Sequence, residues 1–269
     1  MKIPVALTIA GSDPSGGAGI QADLKTFHQR GTYGTAAITL LTVQNTQQVS
    51  AIETLAAEFV ESQVRAVLED IQPAAAKTGA LGDETIVRRI AEMAKEFSFP
   101  LVVDPVMISK HGSALLAESA LRAMAELLLP HAHLITPNLP EAEKLAGISI
   151  CDIESMKVAA KKIVALGAHA ALVKGGHLKE ETGARAVDVL YSEKTGVHCF
   201  DAPRFETPHT HGTGCTYSAC ITAELAKGRS LVDAITVSKE FITLAIRTAP
   251  GLGQGSGPVN HFAKTGLSC

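Results

Sequence analysis

Short apolar segments alternate with amphipathic helical segments along almost the whole chain of 269 residues. The first such unit is an apolar run at residues 5–10, followed by Ile20, Leu24 and Phe27 at helical spacing. Continuous apolar runs of this length are typical of strands covered on both faces, and parallel strands need a crossover between them. The pattern therefore predicts an α/β fold, a three-layer α/β/α sandwich with a mostly parallel central sheet.

The same alternation continues to the last third of the chain, which is helical. Strands are predicted at residues 5–10, 36–43, 74–77, 101–106, 134–135, 170–173, 186–191 and 197–200, the last two as a hairpin. Helices are predicted at residues 20–30, 59–71, 84–97, 115–129, 141–146, 153–166, 215–227 and 231–246. No Pro/Ser/Gly-rich linker divides the chain, so we expect a single domain over residues 1–269, with a polar tail at about 264–269.

Composition excludes several classes of partner. The net charge is −3 and no segment is strongly basic, which argues against a nucleic-acid or anionic-membrane partner. No stretch reaches the ~18 apolar residues of a membrane span. The five cysteines are odd in number, widely spread and without a CxxC pair, so neither a disulfide framework nor a zinc site is indicated. We therefore expect a cytoplasmic protein.

The first glycine-rich turn, GSDPSGGAGIQAD at residues 11–23, nearly matches two phosphate-binding motifs. It lacks the Lys and hydroxyl residue that complete a P-loop. It fits a loose dinucleotide fingerprint, but Gln44 stands where an acidic residue would bind a ribose. Two interpretations stay open: a flexible strand-to-helix turn, or close backbone approach to a small ligand with Asp23 and Gln44 as hydrogen-bonding groups.

The last glycine-rich turn, HTHGTGCT at residues 209–216, leads directly into a predicted helix. Gly212, Thr213 and Gly214 would present free N–H groups at a helix N-terminus, which favours an anion. At such a position the pKa of the Cys215 thiol can fall from ~8.5 to about 3.5–7.5, which would suit a general base. The alternative is a small structural residue, which is our interpretation of Cys220 and the other cysteines.

Six segments in this order closely resemble the hydroxymethylpyrimidine/phosphomethylpyrimidine kinases of thiamine biosynthesis. They are ALTIAGSDPSGGAGIQADLKTF at 6–27, VQNT at 43–46, DPVM at 104–107, TPNLPEA at 136–142, VKGGH at 173–177 and THGTGCT at 210–216. The resemblance runs from about residue 5 to residue 262 and implies a ribokinase-like fold, near the pyridoxal kinases. It implies phosphoryl transfer from ATP, with Mg²⁺, to 4-amino-5-hydroxymethyl-2-methylpyrimidine and then to its monophosphate, by a homodimer.

The resemblance also implies roles for individual residues. The anion hole would be formed by Gly212, Thr213 and Gly214, with Cys215 as the base. The pyrimidine would be bound by Gly11, Asp23, Gln44, Ala80 and Val106. Mg²⁺ would be held by Asp104 and Glu141. ATP would be bound by Asn138, Lys174, Val237 and Lys239.

One position departs from the pattern of the family. Ala80 stands in the motif KTGAL where many members carry Met, and a smaller side chain could admit a bulkier ring. A pyridoxine/pyridoxal kinase is therefore the alternative function, and a non-catalytic pyrimidine-binding sensor is a more remote one. Residues 110–112 are expected to form a flap after the strand that ends near Asp104, and His211 is expected to be a structural hydrogen-bonding residue.

Overall fold

The structure is a computed structural model that describes residues 3–107, 117–176, 178 and 185–265. The predicted flap at 110–112, His177 of the VKGGH motif and residues 266–269 of the predicted tail lie outside the described residues. None of the helices in the described part combines the length and apolar character that a membrane span needs.

Nine strands form one sheet within the described residues. They are β1 (Val5–Ser12), β2 (Tyr33–Gln44), β3 (Val49–Thr54), β4 (Ala75–Thr78), β5 (Leu101–Val103), β6 (Leu134–Ile135), β7 (Ala170–Lys174), β8 (Arg185–Ser192) and β9 (Gly196–Pro203). The strand order is β3-β2-β1-β4-β5-β6-β7-β8-β9. The pairs from β2 through β7 are parallel, whereas β3, β8 and β9 add antiparallel edges. The predicted mostly parallel α/β sheet is therefore confirmed.

Eight α-helices connect or flank these strands in the described part of the chain. They are α1 (Gly19–Gln29), α2 (Ala57–Asp70), α3 (Glu84–Ala94), α4 (Glu118–Ala123), α5 (Leu139–Ala146), α6 (Ile153–Val164), α7 (Thr213–Ala226) and α8 (Leu231–Arg247). A π-helical turn, Met124–Leu128, continues α4.

The helices lie in two layers, one on each face of the sheet. Along β5, Leu101 and Val103 belong to the apolar cluster with α2 to α6, whereas Val102 belongs to the cluster with α1, α7 and α8. The alternation follows because successive side chains of a strand point to opposite faces. The three-layer α/β/α arrangement is therefore confirmed, and the single domain over residues 1–269 stays a prediction.

Several observed strand ends differ from the predicted ones by up to three residues, and the differences at β3 and β5 have a clear meaning. Strand β3 was missed because almost all of its residues are exposed, so its sequence carries no apolar run. Strand β5 ends at Val103 and not at residue 106. The early end places Asp104 just beyond the strand, at the edge of the sheet where α/β proteins bind their ligands.

Candidate active site

A cavity of about 910 Å³ opens at the carboxyl ends of the central strands. This volume lies within the range of small-molecule sites. It is lined by most of the residues predicted for the site: Gly11, Gln44, Ala80, Asp104, Val106, Asn138, Glu141, Lys174, Gly212, Thr213, Gly214, Cys215 and Lys239. The fold therefore brings together groups that lie far apart in the chain.

The cavity has two sides, which we name by the strands that border them. The β1–β4 side is lined by Gly11, near the end of β1, by Gln44, the last residue of β2, and by Ala80, just after β4. The β7–β9 side is lined by Lys174, the last residue of β7, and by Asp188 and Lys239, from β8 and α8. The N-terminus of α7 also lines the cavity.

The turn before α7 is shaped by glycine. Gly212 has φ +74° and is the N-cap of α7, and no side chain among the described residues caps this helix. A Cβ at Gly212 would overlap the carbonyl oxygen of Gly17 in the first glycine-rich turn, so only glycine fits there. The first N–H groups of a helix without a side-chain cap, together with the helix dipole, attract an anion. The predicted anion-binding turn is thus built as a contact between two glycine-rich turns.

Cys215 lies in the first turn of α7, beside this anion site. Burial raises the pKa of its thiol to about 12, because the positive charge of Lys77 only partly offsets desolvation and the carboxylates of Asp23 and Asp104. The expected lowering of the thiol pKa at the helix N-terminus is therefore wrong for this arrangement of charges. Two buried or nearby carboxylates and the loss of water outweigh the dipole of a single helix.

The other described cysteines differ in how far they are buried. Cys220 is fully buried among apolar residues, as expected of a structural residue. Burial raises the pKa of its thiol to about 12 as well. Cys151 and Cys199, in contrast, are exposed.

Asp104, at the edge of the cavity, is fixed by three hydrogen bonds. Its Oδ1 accepts from Lys174 Nζ at 3.2 Å and from Thr136 Oγ1 at 3.3 Å. Its Oδ2 accepts from Ser218 Oγ of α7 at 3.2 Å. These bonds connect the ends of β5, β6 and β7 to α7, so the carboxylate is held in place without a ligand.

Asn138 and Glu141 form the capping box of α5. Asn138 Oδ1 accepts from the backbone N–H of Glu141 at 3.0 Å, and Glu141 Oε2 accepts from the N–H of Asn138 at 2.8 Å. The amide predicted to bind ATP therefore has a structural role as a helix cap. Burial raises the pKa of the Glu141 carboxyl to about 7; Lys174 opposes this shift and Asp104 adds to it.

The donor set fits a magnesium ion. Asp104 and Glu141 are buried carboxylates that influence each other electrostatically at the edge of the cavity. Oxygen ligands of this kind, few in number, are what Mg²⁺ takes from proteins. A nearby divalent charge would also remove the cost of ionising Glu141. Among the described residues no group of three or more His, Cys, Asp or Glu side chains forms a metal cage.

On the β1–β4 side, Gln44 lies beside the hydrogen-bonded pair of His211 and Asp13. Its Nε2 lies 3.3 Å from His211 Nε2, which in turn lies 2.7 Å from Asp13 Oδ2. Asp13 also accepts from the backbone N–H groups of Ser15 and Ala18 and so closes the first glycine-rich turn. His211 is thus the structural hydrogen-bonding residue that was expected, whereas the role of Asp13 was missed although the residue lies in the GSDPSGG segment.

Asp23 does not line the cavity. Its side chain is fully buried, and Oδ2 accepts from Thr8 Oγ1 at 2.6 Å and from Lys77 Nζ at 2.8 Å. The geometry therefore does not support the predicted direct contact between Asp23 and the substrate. Asp23 falls on the apolar face of α1 with Ile20 and Phe27, so helical spacing aims it at the sheet. Lys77, which sequence reasoning missed, lines the cavity in its place.

Val237 is also outside the cavity wall. Helix α8 faces the cavity with Lys239, Ile242, Thr243 and Ile246, a spacing that marks one helical face. Val237 is two residues from Lys239, about 200° around the helix, and is buried on another face. The structure therefore leaves Val237 out of the cavity lining, whereas Lys239 does line the cavity.

Lys239 is held by an aspartate that sequence reasoning did not single out. Its Nζ donates to Asp188 Oδ2 at 2.6 Å, and Asp188 Oδ1 accepts from the backbone N–H of Gly175 at 3.0 Å. Asp188 lies within an otherwise apolar run of β8, and such a buried carboxylate needs a partner. This single acidic residue in an apolar run is the feature of the sequence from which its role could have been predicted.

Comparison with known proteins places this geometry in a family. The family model described as phosphomethylpyrimidine kinase matches residues 13–260. The hydroxymethylpyrimidine/phosphomethylpyrimidine kinase of Haemophilus influenzae is 48% identical over 267 residues, which cover 99% of each chain.

Two solved structures share the fold. The pyridoxal kinase of Bacillus subtilis, in complex with ADP, has a TM-score of 0.87 and 41% identity, covering 97% of this chain and 98% of that one. The pyridoxal kinase of Staphylococcus aureus, in complex with AMP-PCP and pyridoxal, has a TM-score of 0.90 and 37% identity, covering 99% of this chain and 96% of that one. The ribokinase-like fold implied by the sequence is confirmed. By its sequence along nearly the whole length, and by the fold that carries the cavity, the chain belongs to the phosphomethylpyrimidine kinase family.

Proposed function

We propose that this protein is an ATP-dependent kinase of thiamine biosynthesis. It phosphorylates 4-amino-5-hydroxymethyl-2-methylpyrimidine and then converts the monophosphate to the diphosphate. The observation that carries the proposal is the position of the anion-binding turn and Cys215 within one cavity. The β1–β4 side offers Gln44 to a ring, and the β7–β9 side offers Lys174 and Lys239 to phosphates and a nucleotide.

Phosphoryl transfer needs mainly positioning and neutralisation of charge. The backbone N–H groups of Gly212, Thr213 and Gly214 would bind the transferring phosphoryl group through the end of α7. Lys174, whose pKa is raised because nearby carboxylates outweigh its burial, stays cationic and would contact the phosphate chain. The ring of the acceptor would lie against Gln44, where Ala80 leaves space.

Cys215 is proposed as the group that accepts the proton of the attacking hydroxyl. A thiol with a pKa of about 12 is protonated at neutral pH, so it cannot remove the proton before transfer begins. In a loose transition state the hydroxyl loses its proton late, when its bond to phosphorus is already forming. The sulfur can take up this proton only after the thiol has released its own proton to solvent, so substrate binding would have to change the local charges and lower the thiol pKa first.

Asp104 and Glu141 would hold Mg²⁺, which supplies positive charge to the phosphates when it is bound. The carboxylate of Asp104 is already oriented by Lys174, Thr136 and Ser218. The Glu141 carboxylate is oriented by the backbone N–H groups of Asn138 and Met107, and so would face the ion in a fixed position.

The test is an ADP-release assay with Mg-ATP on the wild-type protein and on Cys215→Ser. The acceptors are hydroxymethylpyrimidine, its monophosphate and pyridoxal. Turnover of both pyrimidines that is lost in the variant supports the function and the role of the thiol. Absence of ADP release with every acceptor would instead favour a non-catalytic sensor.

Pyridoxal phosphorylation is the second candidate function. The likeness to the S. aureus pyridoxal kinase, which was solved with pyridoxal, favours it. Ala80 adds a local reason, because its small side chain lines the β1–β4 side and leaves room for a larger ring. A higher kcat/KM for pyridoxal than for hydroxymethylpyrimidine in the same assay would make this the main activity.

We also propose a homodimer that works in the cytoplasm, where ATP is supplied, as a single domain over residues 1–269. Leu41 and Val43 support the dimer, because they are 44% and 61% exposed on one face of β2. Such apolar side chains on an edge ribbon are typical of contact surfaces. Light scattering should give twice the chain mass, and Val43→Lys should shift it toward the monomer.

A further inference from the structure

Lys174 lies beside the two carboxylates that would hold Mg²⁺. It ends β7 at the edge of the cavity, and its Nζ donates to Asp104 Oδ1 at 3.2 Å. Its positive charge also acts on Glu141, whose ionisation it favours. The side chain of Lys174 is 14% exposed and lines the cavity, so a ligand in the cavity can reach it. A cation of this chain is therefore already present at the proposed metal site.

The same ammonium lies close to the anion-binding turn. A Cβ built on Gly214, in the first turn of α7, would lie 3.4 Å from Lys174 Nζ and 3.7 Å from Asp104 Oδ2. Because residue 214 has no side chain, nothing there separates the ion pair from the N-terminus of the helix. An ammonium has three N–H donors, and among the described residues Asp104 alone accepts from this one. Lys174 therefore has donors left for an anion at the turn.

The carboxylate of Asp104 is largely occupied in this arrangement. Its Oδ1 accepts from Lys174 Nζ and Thr136 Oγ1, which uses both lone pairs of that oxygen. Its Oδ2 accepts from Ser218 Oγ and keeps one lone pair for a metal ion. A Mg²⁺ ion at Oδ2 would share the carboxylate with the ammonium, and positive charges so close to each other repel.

We propose that Lys174 holds the place of Mg²⁺ in the free protein, so that the ion enters only together with the nucleotide. The inference rests on the proposed function. In the free protein the ammonium neutralises Asp104 and repels a free metal ion. When the phosphates of ATP lie at the anion-binding turn, the ammonium donates to a phosphate oxygen instead. Asp104 then becomes available to the ion that the same phosphates carry.

The exchange follows from the charges of the partners. Two carboxylates with an ammonium beside them attract a divalent ion much less than the same carboxylates without it. Phosphate oxygens form strong hydrogen bonds with an ammonium, so they compete with Asp104 for Lys174. The lysine therefore disfavours the free ion and favours the nucleotide. Loss of its charge should change these two affinities in opposite directions, whereas general damage to the site would weaken both.

The test measures by calorimetry the binding of Mg²⁺ alone, and of ATP in the presence of EDTA. Lys174→Gln removes the charge but keeps an N–H donor for Asp104, and Lys174→Arg keeps the charge. Lys144→Gln is the matched control, because Lys144 is an exposed lysine of α5 that also lines the cavity. Affinities for Mg²⁺ are compared above the Glu141 pKa of about 7, where they no longer rise with pH.

Lys174→Gln should bind Mg²⁺ alone about 10- to 100-fold more tightly than the wild type. It should bind metal-free ATP about 10-fold more weakly, because a charge-assisted hydrogen bond is lost. Lys174→Arg should resemble the wild type in its affinity for Mg²⁺. Lys144→Gln should stay within about threefold of the wild type for Mg²⁺, because an exposed charge is screened by water.

Melting curves give a second measurement if Lys174→Gln is less stable than the wild type. Mg²⁺ alone should raise the melting temperature of this variant more than that of the wild type, because the ion replaces the lost charge. Equal affinities of the two proteins for Mg²⁺ alone, including no binding by either, would overturn the proposal, and so would a loss of affinity for both ligands. Opposite shifts in a protein that releases no ADP with any acceptor would refute the proposed function and leave the exchange at Lys174 in place.

Discussion

Substitution of Glu141 by glutamine should make the protein more stable at high pH. Burial holds the carboxyl pKa at about 7, compared with 4.5 for an ordinary glutamate. The native state therefore binds this proton more tightly than the unfolded state, and the free energy of unfolding falls as pH rises from about 4.5 to about 7. The difference of about 2.5 between these pKa values corresponds to about 3 kcal/mol of folding stability. This contribution is lost as the pH rises past about 7.

Glutamine does not ionise, and its carbonyl oxygen can still accept the N–H of Asn138 in the capping box. Glu141→Gln should therefore equal the wild type near pH 4.5 and exceed it by up to about 3 kcal/mol at pH 8. The assay is denaturant unfolding at both pH values without Mg²⁺ or nucleotide. Glu240→Gln, at an exposed position of α8, is the control and should change little at either pH. A Glu141→Gln protein that is no more stable than the wild type at pH 8 would refute the reasoning.

The remaining predictions concern the turn before α7, the core and the β7–β9 side. Cys215→Ser should lose about 10²–10⁴-fold in kcat while ATP still raises its melting temperature, and near-normal turnover would exclude the thiol as base. Cys220→Ser should lower the free energy of unfolding by about 1–3 kcal/mol in denaturant titrations, with kcat unchanged. Gly212→Ala should weaken ATP binding in calorimetry, because its Cβ separates the two glycine-rich turns. Lys239→Met should raise the KM for ATP more than the KM for the pyrimidine.

The sheet could be predicted from sequence because its central strands are apolar and its connections are helical. Strand β3 could not, because exposed residues such as Ser50 and Glu53 carry no apolar signal and pairing with β2 decides their conformation. For the site, the sequence indicated which glycine-rich turns lie at the edge of the sheet. It did not indicate that Asp23 points into the sheet, because the same residue fits either a ligand or a buried partner.

Charge effects were the least predictable part of the site. The position of Cys215 at a helix N-terminus suggested a low thiol pKa, but the carboxylates that surround it come from α1 and from the end of β5. The sequence did not indicate a role for Lys77, because a lysine in a short strand is usually exposed. Both errors arise because a pKa depends on neighbours that are distant in sequence.

The contact between the two glycine-rich turns has a thermodynamic consequence. Gly17 belongs to the turn that leads into α1 beside the acceptor side, and Gly212 to the turn that would hold the phosphoryl group. Because their backbones touch, a ligand that displaces one turn changes the free energy of the other. Linkage then requires that the acceptor alters the affinity for ATP by the same factor by which ATP alters the affinity for the acceptor. Two substrates that each displaced one of these turns would thus be coupled through a place where no side chain stands between them.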